Sequence, residues 1–451
     1  MEHVDVAVVG GGPAGTSAAH AAATQGADAV VFEKGVPRED REGPGPDSTD
    51  AAGMLDYWVD IMDIGEVPDH VRLRELEGAD FLGPTTSVEL RSTGIDASYP
   101  NFGFTFHRAR FDDWLRERAE DAGAQYRVGT GVMDVDSDLT GAPTHTLTLR
   151  DGTEVVADYL VLADGPQRTV TTKVLEPLLP DGQIERIDPT TANHIAYQEY
   201  REIPEEVFEP SLLKFWWGYM PGHTAYPWIF PNDGRVARVG LTMPIGLDLS
   251  TVRDRSTYRL LRPEDEQVPH GSTYVERLLE LVYGDRYDVE EDFPLVTDRG
   301  KRGGTETYPI SSTRPIESPV DANVAVVGGA MGATSAFHEG GDHVAVRTGK
   351  LAGELAASGT LDAYNRAWQA AIGEEVARNV AMADMVHDWT PTDWDRAFGA
   401  AASMLGEGGV TPWQTLRGGV TGLKLYAGYK WRKRGLRDGG YVQIRESEYV
   451  V

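Results

Sequence analysis

The chain has 451 residues, 71 of them acidic and 42 basic, for a net charge of −29. That length holds two or three domains with an ample core, and so acidic a surface argues against nucleic acid as a partner. The absence of cysteine excludes disulfides, thiolate nucleophiles, cysteine-ligated zinc and iron–sulfur clusters, so electrons must come from outside or through a bound organic cofactor.

No metal site is expected. The N-terminus lacks a basic leader segment and no run of about 18 apolar residues occurs, so neither a signal peptide nor a membrane span is expected. The cytoplasm is the default location.

Residues Val4 to Glu33 read as strand, glycine turn, helix and strand. Val4, Val6, Val8 and Val9 make a β-branched run suited to a buried parallel strand. Gly10, Gly12 and Gly15 fit G-x-G-x-x-G, with Pro13 and Ala14 opening the helix. Those glycines serve a tight turn, backbone approach to a pyrophosphate and close helix–strand packing, and the helix N-terminus is an anion site. Residues 28–33 form the second strand. Glu33 stands where a carboxylate accepts from a ribose 2′-OH, with Lys34 beside it; this disfavours a 2′-phosphate and fits FAD or NAD. An α/β turn without a ligand is the alternative.

After Glu33 a Gly/Pro-rich polar loop leads to an apolar stretch around Met54 to Ile64; either it approaches a cofactor ring or it is simply a loop. Residues 81–106 alternate and carry β-formers. Phe111, Trp114, Leu115 and Ala119 fall at helical spacing opposite acids and arginines, Gly123 ends that helix, and a strand follows from Gln125 to Val132. Residues 145–162 predict a hairpin turned at Asp151-Gly152. Phe215, Trp216, Trp217, Tyr219, Tyr226, Trp228 and Phe230 then crowd one segment. They fill a core or line a channel for an apolar ligand, with Trp217, Trp228 and Phe230 the candidate contacts. Residues 323–357 read as buried strand, glycine turn, loop and helix, and from Leu361 the chain is mostly helical. The stretch Lys424 to Arg437 is basic and aromatic within an acidic protein. It docks an anionic lipid surface or caps its own domain by pairing with acids.

Several of these segments resemble the geranylgeranyl reductase family, FAD-dependent flavoproteins related to para-hydroxybenzoate hydroxylase. R-x-x-F-D-x-W-L at Arg108 to Leu115, followed by AGA, is similar to the family's second signature; the resemblance implies that Arg108 points at the flavin nucleotide. Asp158 to Gly165 resembles the strand ending in Asp-Gly near the cofactor, making Asp164 and Gly165 flavin candidates, although Arg168-Thr169 replaces the usual serine. Tyr226, Trp228, Ile229, Phe230 and Pro231, then Val239, Gly240 and Leu241, resemble the substrate domain. The W-x-W-x-I-P of flavin halogenases does not occur. Residues 323–357 resemble the third flavin motif, with Gly340, Gly341, Ala345, Gly349 and Ala352 matching its helix half. Gly329 departs from it, standing where the family usually has an aspartate that binds the ribityl chain; Asp342 or Glu339 is the candidate substitute. Where some members carry a cysteine-containing loop, this chain has DSTDAAG.

The resemblance implies an α/β fold in which an FAD-binding Rossmann-like domain of glutathione-reductase type (1–80, 107–185 and 301–360) interleaves with a mixed β-sheet substrate domain (81–106 and 186–300). Residues 361–451 form a C-terminal helical region. The implied cofactor is FAD, and the implied activity is saturation of C=C bonds in geranylgeranyl or polyprenyl chains of membrane lipids or menaquinone. Such a substrate implies peripheral contact with the inner face of the membrane. With the lysine-poor acidity, which suits salt that screens charge over about 3 Å at 1 M, the resemblance points to a halophilic archaeon, an acidic mesophile being the alternative. Tyr219, His223, Tyr226 and His338 are the candidate proton donors. No second dinucleotide motif with flanking strand and acid is evident, so an external donor, ferredoxin-like or NAD(P)H, is expected to bring electrons. The rivals are a flavin-dependent aromatic monooxygenase and a redox-silent flavin-binding isomerase, cyclase or carrier.

Overall fold

A computed structural model describes residues 1–37, 53–192, 194–300, 303–311, 314–405 and 412–451. Most of the loop after Glu33, including the DSTDAAG positions 47–52, lies outside the described residues. Within them the chain builds two seven-stranded sheets and a three-stranded one.

The first sheet has Glu2–Val9 at its centre, paired in parallel with Ala29–Phe32 on one side and Glu154–Leu162 on the other. Gln125–Arg127 extends it in parallel beyond Ala29–Phe32. Glu154–Leu162 is shared along its length. Its first half pairs antiparallel with Thr144–Leu149 across the Asp151-Gly152 turn, and its end pairs in parallel with Val324–Val326. Residues Val6 to Val9 are buried without alternation, as befits a parallel strand covered on both faces. Helices Pro13–Thr24 and Asp342–Ala357 lie together over one face. They approach closely because Gly349 and Gly353 face backbone: a Cβ there would stand 1.9 Å from the Ala14 carbonyl oxygen and 2.0 Å from that of Ala18.

The second sheet runs Thr305–Ile310, His194–Glu202, Val236–Pro244, Tyr226–Pro231, Leu212–Trp216, Gly78–Leu82, Ser87–Leu90. Strand alternation sorts the aromatics between its faces. Trp216, Tyr219 and Ile229 pack with helix Gly271–Tyr283 in one core, while Trp217, Tyr226, Trp228 and Phe230 face the other way. Gly240 of the V-G-L strand lies beneath the Trp228 indole, whose nearest atom would be 2.7 Å from an added Cβ. Two stretches divide differently from the sequence-based boundaries. Residues 81–106 split, because Gly103–Phe106 pairs with Met54–Leu55 and Arg72–Leu76 in the small sheet. Thr305–Ile310 forms the edge of the second sheet rather than part of the first.

The C-terminal region is helical as expected, with Tyr364–Val386, Pro391–Leu405 and Pro412–Gly435 its long elements. It also belongs to both cores. Tyr364 and Trp368 are fully buried against the first sheet, the Tyr364 hydroxyl donating to the Val326 carbonyl at 3.1 Å. Val386 and Trp394 close over the aromatic face of the second.

Candidate functional site

The parallel strands of the first sheet end on the same edge, where ligands bind in open α/β sheets. Gly10, Glu33, Asp164 and Gly328 follow those ends in turn. At Gly10 (φ 104°) an added Cβ would lie 2.4 Å from the Ala163 carbonyl, and at Gly15 one would lie 1.9 Å from the Gly10 carbonyl. These two glycines therefore serve packing. Gly12 is the reverse: nothing stands within 4 Å of the position its Cβ would take. The helix that starts at Pro13 has no side-chain cap, so its open N–H groups face that space.

Glu33 accepts from the Gly11 N–H at 2.7 Å and the Gly35 N–H at 2.6 Å. Each carboxylate oxygen retains a second acceptor position for a hydroxyl. A nucleotide with a pyrophosphate and an unphosphorylated ribose fits these residues.

From this corner one cavity of about 860 Å³ runs across the molecule to the aromatic face of the second sheet. Gly12, Pro13, Ala14, Lys34 and Arg108 line its nucleotide end, and Asp164, Gly165, Gly329, Gly340 and Gly341 line its middle. Trp217, Tyr226, Trp228 and Phe230 line the far part. Trp217 stacks on Tyr226 and Phe337, with ring centroids 4.4 and 5.3 Å apart. Arg108, the first residue of its helix, bonds Asp112 at 2.8 Å and Asp342 at 3.2 Å, so Asp342 is committed to Arg108. Burial pushes the Asp112 carboxyl up to about 6 against the pull of Arg108.

Asp164 lines the cavity, yet its carboxylate accepts from the Val170 and Thr171 N–H groups at 2.6 and 3.1 Å and so caps the next helix. The two departures from the flavin motif meet here. Arg168, buried and at φ 51°, donates to the carbonyls of Ala330 at 2.7 Å and Ile187 at 2.9 Å and to Ser311 Oγ at 2.5 Å. It thereby ties the Gly165–Arg168 turn to the residue after Gly329. Pro166 Cδ is already 3.2 Å from where a Gly329 Cβ would stand, so the missing side chain and the added guanidinium are one local arrangement.

The four proton-donor candidates part company. Tyr226 and His338 line the cavity, the Tyr226 hydroxyl donating to the His338 carbonyl at 2.8 Å. Burial raises the Tyr226 hydroxyl well above its ordinary range, and burial with nearby His343 lowers His338 to about 4. Tyr219 is placed elsewhere. It lies in the opposite core and donates to the Gly83 carbonyl at 3.1 Å, because Trp217 and Tyr219 are separated by a glycine turn at Gly218 (φ 78°) that breaks the strand alternation. His223 does not line the cavity either; it contacts His194 at 3.4 Å. Glu339, the other candidate substitute at the ribityl position, has its carboxylate held by His194 and Thr242 of the second sheet. His194 and Thr242 carry no motif. The one local signal at this loop is that a glutamate precedes two glycines.

The fold and the cavity are those of an FAD-binding flavoprotein. Residues 3–183 match the FAD binding domain family, and FAD is the cofactor. Along most of its length the chain is similar to two kinds of reductase. It is 27% identical over 388 residues to a menaquinone reductase of Mycobacterium tuberculosis, covering 85% of this chain and 83% of that one. It is 27% identical over 389 residues to a digeranylgeranylglycerophospholipid reductase of Methanothrix thermoacetophila, covering 83% and 85%. A solved geranylgeranyl bacteriochlorophyll reductase-like protein of Thermoplasma acidophilum shares the fold, with a TM-score of 0.69, 20% identity, and 97% and 99% of the two chains covered. A flavin-dependent brominase shares it too, at TM-score 0.61 and 15% identity, over 96% and 99%. The geranylgeranyl reductase likeness read from the motifs thus extends over the second sheet as well as the first.

Proposed function

We propose that the protein is an FAD-dependent reductase that saturates C=C bonds of geranylgeranyl or other polyprenyl chains in membrane-lipid or menaquinone synthesis. The observation that carries this reading is the continuity of one cavity from the glycine-rich nucleotide corner to a wall of aromatic rings. A long apolar chain is the guest such a wall suits, and the relatives' names supply the chain's chemistry.

Bound and reduced, FAD supplies a hydride equivalent. The protein's residues do the rest. Gly12 and the Pro13 helix N-terminus hold the pyrophosphate, Glu33 the ribose, and Arg108 with Lys34 line the nucleotide end. The N–H groups opening helix Asp342–Ala357 stabilise negative charge beside Gly340 and Gly341. Trp217, Trp228 and Phe230 orient the apolar chain and exclude water.

Electrons come from an external donor, ferredoxin-like in this reading, because no second dinucleotide motif accompanies the first. Rapid reduction of the bound flavin by NADH or NADPH alone would overturn that part. Membrane contact is assigned to helix Pro412–Gly435. Leu423, Tyr426 and Trp431 are exposed on it among basic residues, while Lys433 on its inner side pairs with Glu374. Exposed aromatics flanked by cations suit a headgroup interface. Among the described residues no helix is long and apolar enough to cross a membrane.

The test is mass spectrometry of an anaerobic reaction in high-salt buffer. Chemically reduced protein is given a geranylgeranyl ether lipid and, separately, a menaquinone. Product heavier by pairs of hydrogens, read after air oxidation has returned any menaquinol to the quinone, identifies alkene reduction and its pathway. Unchanged mass with flavin bound would sink the reductase reading.

A further inference from the structure

Glu339 stands out on three independent grounds. Its backbone is in the left-handed region (φ 59°), where a glutamate is strained and where such strain collects at functional sites. Its side chain is only 3% exposed yet lines the cavity. Both carboxylate oxygens are held from the substrate sheet: His194 Nδ1 is 2.5 Å from Oε1, and the Thr242 hydroxyl donates to Oε2. The residue thus sits where the Gly340-Gly341 turn meets the aromatic face, between the flavin end and the prenyl end of the cavity.

Behind it lies a row of imidazoles. His194 Nε2 is 3.4 Å from His223 Nε2, and the His223 ring is 4.9 Å from that of His387, which is exposed in the turn that follows helix Tyr364–Val386. The groups therefore run from the cavity wall to solvent as carboxyl, buried imidazole, half-buried imidazole and exposed imidazole. A neutral imidazole carries one N–H and one lone pair, so it passes a proton without storing it. Burial keeps His223 neutral at working pH, its value lowered to about 4 with help from His194 and His387.

We propose that Glu339 is the group that protonates the alkene, and that His194, His223 and His387 reload it from solvent. The assignment rests on the prenyl-reductase reading. One C=C π bond breaks; one carbon takes the hydride equivalent that reduced FAD supplies, and the other takes the proton from the Glu339 carboxylic acid. Flavin is left oxidised and Glu339 left as carboxylate, which then receives a proton through His194. Tyr226, whose hydroxyl is bound to the His338 carbonyl, and Thr242, whose proton points at Glu339, hold the loop against the sheet and are positioning residues.

The experiment uses the FAD-loaded protein, chemically reduced without oxygen, and follows flavin oxidation on adding a geranylgeranyl lipid. Glu339→Gln should slow the first turnover at least about 100-fold, in the range general acids supply, with FAD affinity unchanged. Glu339→Asp should restore part of the rate. In a parallel reaction kept supplied with excess dithionite, His223→Phe should slow the later turnovers more than the first, a split that a merely structural role would not produce. A second readout needs no flavin: in the apoprotein, ¹⁵N-histidine NMR should show the His194 signals shifted by Glu339→Gln. A wild-type first-turnover rate in Glu339→Gln, or His194 signals that ignore the substitution, would overturn the proposal. If the wild-type protein reduces no prenyl lipid while the NMR coupling holds, the reductase reading fails and takes the donor assignment with it.

Discussion

Gly12 and Gly15 would answer the same added methyl in opposite ways. At Gly12 nothing in the protein stands within 4 Å, and the backbone is extended (φ −73°, ψ −177°), so Gly12→Ala should leave the apoprotein's thermal midpoint unchanged and weaken FAD at least about tenfold, or 1.4 kcal/mol. At Gly15 the methyl would stand 1.9 Å from the Gly10 carbonyl; Gly15→Ala should lower both the midpoint and the affinity. Equilibrium titration with FAD beside calorimetry of the apoprotein separates the two. Arg168 makes a third case. Its guanidinium is buried, its partners are the Ala330 and Ile187 carbonyls and Ser311, and burial lowers its value to about 10. Removing it strands two carbonyls, so Arg168→Met should cost roughly 2–4 kcal/mol in denaturant unfolding. At this scale the glycine motif was legible, because a turn's steric needs are written in its own few residues. The partnership of Arg168 with the Gly329 turn was not, since those residues are 162 positions apart at Ala330.

Among elements, the contact between helices Pro13–Thr24 and Asp342–Ala357 sets the geometry of the nucleotide corner, for both helices open onto the cavity. Gly349→Ala would push a methyl to 1.9 Å from the Ala14 carbonyl oxygen. The helices would have to separate, which predicts a loss of about 1–3 kcal/mol and a lower FAD affinity although Gly349 touches no ligand. Gly428→Ala, on the outer helix, has its nearest neighbour 3.6 Å away at Arg432 and serves as the control. Element type was readable here from periodicity: the 108–121 helix buries Phe111, Trp114, Leu115 and Ala119 as its spacing predicts. Sheet membership was not readable. A strand's sequence reports that it is half-buried but not which strand it pairs with, so Gly103–Phe106 and Thr305–Ile310 fell to sheets other than those expected.

For the whole molecule, acid should be more damaging than base. Burial holds His145, His223 and His338 at about 4, below the ordinary 6.5. Between those values the unfolded chain binds protons that the folded one refuses. Stability is therefore fully present above pH 6.5 and falls as pH drops toward 4, by up to about 1.4 kcal/mol per pH unit for each fully buried imidazole. Unfolding midpoints measured from pH 7 to 5 should fall steadily, and less steeply in His145→Gln, which removes an imidazole remote from the cavity; a flat profile in wild type would refute this. The net charge of −29 adds self-repulsion that salt relieves, so the measurement belongs at one fixed salt concentration.

The amino-acid sequence by itself determined that this chain would form a dinucleotide fold, where its pyrophosphate turn would lie, and which segments carry the flavin and aromatic motifs. Those are local matters: glycine sterics, side-chain period and strand alternation act over a few residues. Only the tertiary structure decided that Tyr219 faces away from the cavity while Trp217 faces in. It alone decided that Asp342 belongs to Arg108, and that Glu339 meets His194 across 145 residues of chain. A buried carboxylate's role depends on what surrounds it in a low-dielectric wall, and those surroundings come from three elements that only packing brings together.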